Sequence, residues 1–216
     1  ISKKNVDEGG LFLRLKQGIN FLKANMHVLL FGLTSYMLFA FTLVEIHIIL
    51  PSYVDNFLRM DGNIYASAEI YYSIGAILSG FLILKVFRKL DYVISVILLM
   101  LLVSFSLYFM TVYNIIWVFF LGNLIIGITN AGVRILRTTY LFNNIPNNLI
   151  GRTNSVFNSI NIMIRMLLIG LFSLSFFQIG DNIRFAYLVG CILLLLTVVI
   201  LFLSYKYIIS RSVNNS

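Results

Sequence analysis

The sequence predicts an all-α integral membrane protein with six transmembrane helices, on three observations. Of its 216 residues, 60% are hydrophobic and only 11% are charged, with a mean hydropathy of +0.94; a soluble domain has about 45–50% and about 25%. One soluble core of this size cannot enclose so much apolar surface, and lipid takes the rest. Second, six apolar runs approach the roughly 20 residues that a helix needs to cross about 30 Å of hydrocarbon. Third, these runs lack the in–out alternation of a membrane barrel strand.

In chain order, residues 1–25 read as a cytoplasmic linker, 26–206 as the six-helix domain and 207–216 as a cytoplasmic tail. In the linker, Leu11, Leu15, Ile19 and Leu22 recur at helical spacing, which predicts an amphipathic helix on the inner membrane surface. The spans are placed at 26–50, 65–87, 92–110, 115–133, 155–177 and 185–205. Pro51 is expected to close the first, because proline lacks the N–H that continues a helix. Asp61-Gly62-Asn63 and the Asn-rich stretch around Pro146 mark loops. The chain opens on Ile1 with no signal peptide, so a longer parent protein is expected.

The formal charge is +8, but the basic residues sit between apolar runs, which reads as membrane orientation and not as nucleic-acid binding. Thirteen of the sixteen Lys and Arg residues fall on one side, in the linker, around Arg88, from Arg134 to Arg152, and in the tail. The other side holds Arg59 and Arg184, and Arg165 falls inside the fifth run. This bias places both termini in the cytoplasm. Cys191 is the only cysteine, so there is no disulfide within the chain and no cysteine-based metal site. There is no G-x-S-x-G, no H-E-x-x-H and no histidine after His47, so no enzyme activity, cofactor or metal is expected. Nor is there a filter-like sequence or a charge ring of the kind that would suggest a channel.

Polar groups within a bilayer are costly, so their placement is informative. In the fifth run Asn154, Asn158, Asn161 and Arg165 share one helical face at about 100° per residue. Asn123, Asn130 and Arg134 repeat that spacing in the fourth, around Gly127. The second carries Glu69, Ser73, Ala76 and Gly80, and the first Thr34, Thr42 and Glu45. The third and sixth have only Ser, Thr, Tyr and Cys. A period of three within six helices suits two three-helix repeats, which transporters commonly hold in inverted topology. Spans one, two, four and five would line a water-filled path. Three and six would face lipid, where Ser104 and Thr197 should accept leucine.

The expected substrate-cavity set is therefore Arg165, Asn161, Asn158, Asn130, Asn123 and Thr42, with Glu45 and Glu69 as candidates for proton coupling. Each residue has a plainer reading. Arg165 could pin helices together, and Glu45 and Glu69 could reach outer water. The Asn and Ser faces could be interhelical hydrogen bonds worth about 1 kcal/mol or less each. Gly75, Gly80, Gly122 and Gly127 suit helix packing, and neither His27 nor His47 is placed to be a ligand.

Three stretches carry a resemblance to a known family. Arg14-Leu-Lys16-Gln-Gly18-Ile-Asn-Phe-Leu22-Lys23 resembles a basic segment leading into a seventh helix. Gly80, Leu82, Lys85, Arg88 and Lys89 match the loop motif G-x-L-x-D-R/K-x-G-R/K-R/K, with Leu84 in place of the acid and Phe87 in place of the second glycine. Pro146, Gly151, Arg152 and Ser155 match P-x-x-x-x-G-R-x-x-S. In this order the three resemble the C-terminal half of a major facilitator superfamily transporter, in the branch of bacterial drug:proton antiporters that includes macrolide-efflux and siderophore-export proteins. The resemblance implies helices seven to twelve of a twelve-helix fold in a bacterial cytoplasmic membrane. It also implies an N-terminal six-helix half as partner, and proton-coupled efflux of an amphiphilic small molecule. The competing expectation is a six-helix scaffold, or a truncated gene product, that transports nothing.

Overall fold

The computed structural model describes residues 10–86 and 90–213. Lys3 and Lys4 of the linker, and Phe87, Arg88 and Lys89 of the loop motif, lie outside the described residues. Among the described residues there is no strand. Six helices are long and apolar enough to cross a membrane: Met26–Leu58, Gly62–Ile83, Tyr92–Val112, Ile116–Asn144, Ile150–Phe172 and Gly180–Ser210. They are called the first to sixth spans below. A shorter helix, Leu11–Ala24, precedes them.

The span ends differ most from the sequence expectation in the first, fourth and fifth spans. The first span does not stop at Pro51. It continues through Leu50–Ser52 to Leu58, with π-helical segments at Glu45–Ile49 and Tyr53–Leu58. The wider π turn is the physical reason. Proline in an ordinary helix loses a hydrogen bond and strikes the carbonyl four residues back. Here the Leu50 N–H already reaches five residues back, to the Glu45 carbonyl, so the ladder is re-spaced before the proline arrives. The fourth span runs on to Asn144, carried by the buried Leu136, Tyr140 and Leu141. It ends where Ile145, held extended by the following Pro146, leaves helical geometry. The fifth begins at Ile150, earlier than expected, and stops at Phe172 before a short helix, Ser175–Gln178.

The first and fourth spans form the centre of the bundle. The first packs on the fourth, fifth and sixth, the fourth packs on the first, second and third, and the third packs on the sixth. Only 22% and 28% of the apolar windows of the second and fifth spans are buried, against 67% and 56% for the first and fourth, so the second and fifth are the bare flanks.

The second and fourth spans meet backbone to backbone. A Cβ added at Gly127 would lie 2.1 Å from the Tyr72 carbonyl oxygen, and one at Gly75 would lie 2.1 Å from that of Leu124. Such approach is how helices without a water-driven force between them gain contact. Gly127→Ala is therefore expected to destabilise the protein by about 1–3 kcal/mol, read as a lower unfolding midpoint in detergent. Gly80→Ala, where nothing lies within 4 Å, should leave that midpoint unchanged.

The third and sixth spans do not simply face lipid. They pack on each other, and Ser104 and Thr197 are buried between their neighbours. Thr197 donates to the Leu194 carbonyl, at 2.7 Å, and lies 3.4 Å from the Met100 sulfur. Leucine at either position would overfill that seam, so the expected tolerance does not hold. Leu101, Phe105, Phe202 and Leu203 are among their exposed residues.

The helix Leu11–Ala24 forms as its periodicity predicts, but its inner face docks on the fifth span. Gly18 meets the Arg152 carbonyl and Val156, Leu22 is buried, and Arg152 donates to the Gln17 side-chain oxygen. Leu13 and Ile19 remain exposed.

Candidate functional site

The candidate residues divide by what their side chains reach. Asn161 is buried, and its amide donates to the Tyr36 carbonyl on the first span at 3.2 Å. Asn130 donates to the Tyr72 hydroxyl on the second span at 2.8 Å. Asn123 and Thr42 are buried and donate within their own helices, to the Phe119 and Leu38 carbonyls. Asn158 is exposed on the bare flank of the fifth span, beside Ser155 and Ser159. Glu69 is exposed on the second and accepts from the Tyr65 hydroxyl at 2.7 Å.

Arg165 is half-buried on the fifth span, and its Nε is enclosed without a hydrogen-bond partner. Because the span ends at Phe172, Arg165 lies nearer its C-terminal end than the expected mid-span place. Among the described residues it forms no ion pair with Glu45.

Glu45 is fully buried at the start of the first π-helical segment. Its Oε1 accepts from the Tyr187 hydroxyl of the sixth span at 2.9 Å, while Oε2 is enclosed without a partner. Tyr53 stands edge-on to Tyr187, with ring centroids 4.9 Å apart, and donates to the Met110 carbonyl at 2.6 Å. The carboxyl thus sits beside an aromatic pair of the first and sixth spans, which the Met110 carbonyl ties to the third. π-Helical turns recur at functional positions, where the extra residue re-aims one side chain.

Two residues with a place in this arrangement escaped the sequence reading. Tyr187 gave no signal, since a tyrosine in an apolar run does not say which helix it faces. Arg137 did give one. It lies seven residues after Asn130 and fourteen after Asn123, as close to their face as Arg134. The Lys/Arg distribution places it in a loop, yet it is 5% exposed. Its guanidinium lies 3.7 Å from the centre of the Tyr36 ring and donates to the Ser35 carbonyl at 3.1 Å. Tyr36 in turn donates to the Asn154 side-chain oxygen at 2.9 Å, so first, fourth and fifth spans meet at one polar knot.

No protein-family model, curated protein or solved structure matches the chain.

Proposed function

We propose that the chain is the second six-helix half of a secondary transporter of the major facilitator type. It would work by alternating access in proton-coupled efflux of an amphiphilic small molecule across a bacterial cytoplasmic membrane. One observation carries the reading. When the first three spans are exchanged in order with the last three, the principal helix contacts are unchanged: first–fifth becomes fourth–second, first–sixth becomes fourth–third, and first–fourth and third–sixth map onto themselves. Two three-helix repeats related by a pseudo-two-fold produce that invariance, and an odd number of spans per repeat makes them inverted. The bare flanks add support. The second and fifth spans expose Glu69, Ser73, Ser155, Asn158 and Ser159. Lipid does not satisfy such groups, whereas a water-filled path or a second helical unit does.

The test is substrate-dependent proton flux, measured in proteoliposomes of the full-length protein holding a pH-sensitive dye, with ethidium and related amphiphilic dyes as probes. Flux that needs both dye and protein supports the proposal. Dye-independent, protein-independent pH traces across the panel argue against it. A second reading, the non-transporting scaffold, is favoured by one set of contacts: the amides of Asn161 and Asn130 are used in bonds between helices. Six further spans encoded upstream of Ile1 would favour the transporter over the scaffold.

The orientation is tested separately. In a Cys191→Ser background, Asn147→Cys is expected to resist membrane-impermeant thiol reagents in intact cells, and Asn56→Cys and Asp181→Cys are expected to react. Labelling at 147 from outside would reverse the orientation drawn from the Lys/Arg bias.

A further inference from the structure

A cavity of about 270 Å³ opens between the first, fourth and fifth spans, beside the turn that holds Ile145 and the start of the fifth span. Tyr36, Arg134, Arg137, Thr138 and Asn154 give its polar wall, Phe142 forms part of its apolar rim, and among the described residues no carboxylate lines it. Arg137 is the deep group. One face of its guanidinium is covered by Tyr36, and one N–H is used on the Ser35 carbonyl. A guanidinium has five N–H donors, and a neutral carbonyl leaves its charge uncompensated. Taking a cation out of water without an anion costs several kcal/mol, so a buried arginine facing a cavity calls for one. Arg134, exposed at the same cavity, brings a second positive charge.

We propose that this cavity is a phosphate-binding site in which Arg137 and Arg134 hold a phosphomonoester group, with Thr138 and Asn154 as neutral hydrogen-bond partners. The charge argues for phosphate. A phosphomonoester carries roughly −1.5 to −2 at neutral pH, which matches two guanidiniums, and the planar arginine fork fits its oxygens two at a time. The size argues for a small group, since the cavity is below the range of about 300–1,000 Å³ that encloses a drug-sized ligand. The same chemistry is offered by free phosphate and by the headgroup of phosphatidic acid. The site holds whether or not the chain transports anything, because binding is read without flux.

The experiment uses the protein in phosphatidylcholine nanodiscs and follows thermal unfolding. One arm titrates inorganic phosphate, and the other replaces a minor fraction of the lipid with phosphatidic acid. A saturable rise in the unfolding midpoint is expected in at least one arm. A rise with inorganic phosphate identifies a site for the free ion; a rise with phosphatidic acid alone identifies a headgroup site. Arg134→Gln, on an exposed side chain, is expected to weaken half-saturation by at least about tenfold, the value of one charge-assisted hydrogen bond. Arg137→Lys, which keeps the charge and loses the fork, should weaken it as well. Lys206→Gln, exposed on the sixth span, should leave it unchanged. No rise in either arm, or the same rise in Arg134→Gln as in the parent, overturns the proposal. Should Arg137→Lys fail to fold, Arg134→Gln and Thr138→Val still decide it.

Discussion

Glu45→Gln is expected to leave the helix bundle folded and to lower proton-coupled flux by at least about tenfold, a change of about 1.4 kcal/mol in the barrier. Glutamine keeps the size of the side chain and an oxygen to accept from Tyr187, but it carries no exchangeable carboxyl proton. The carboxyl it replaces is enclosed, is bonded by one hydroxyl, and has a second oxygen with no partner. An acid in such a place costs stability without obvious structural return, which is the usual mark of a proton site within a membrane. The paired variant Tyr187→Phe removes the hydrogen bond and keeps the carboxyl, so it should shift the pH profile of flux and not abolish it. Full proton-driven flux by Glu45→Gln at equal expression would move the coupling acid elsewhere. Glu69, exposed and bonded to Tyr65 on its own helix, would be the next residue to test.

Arg165→Ala is expected to abolish transport while the protein still reaches the membrane. Had Arg165 only pinned helices together, it would hold a partner on another span. Among the described residues it makes no hydrogen bond or ion pair, and its Nε is enclosed and unmet. The helix around it is bare, with Met163, Met166 and Leu167 all exposed. A cation on an uncovered flank, continuing the face of Asn154, Asn158 and Asn161, is placed to meet a substrate or an acid on a facing helical unit. Arg165→Lys keeps the charge and loses the two-pronged geometry, so it should fold and lose most activity. Normal dye efflux by Arg165→Ala would remove the residue from the mechanism. Loss of protein from the membrane in both variants would return it to a structural role.

Hydropathy located all six spans, because length and apolarity are properties of a run by itself. The span ends were less legible, because they depend on contacts made elsewhere. Pro51 reads as a stop in any local rule, and only the π turn starting at Glu45 lets the helix pass it. Arg134 and Arg137 read as loop cations because charge ends a hydropathy window; Tyr36, on a span about a hundred residues earlier, gives the second one its cover. The polar faces were visible in spacing, but their use was not. Asn161 and Asn158 are three residues apart, yet one is buried on the Tyr36 carbonyl and the other is exposed. Ser104 and Thr197 show the converse: two apolar spans were expected to look outward, and their small polar residues face each other's helices.

The docking of the first helix on the fifth span has a consequence for biosynthesis. Gln17 and Arg152 are 135 residues apart in the chain. A ribosome adding about 5–20 residues per second makes the second partner roughly 7–27 seconds after the first. Through that interval the face bearing Gly18 and Leu22 has no seat, and the inner sides of the first span wait likewise for the fourth, fifth and sixth. The early helices must therefore be held at the insertion machinery or by lipid until the late ones arrive. Final closure of the bundle is then a late event, completed from the last spans back toward the first.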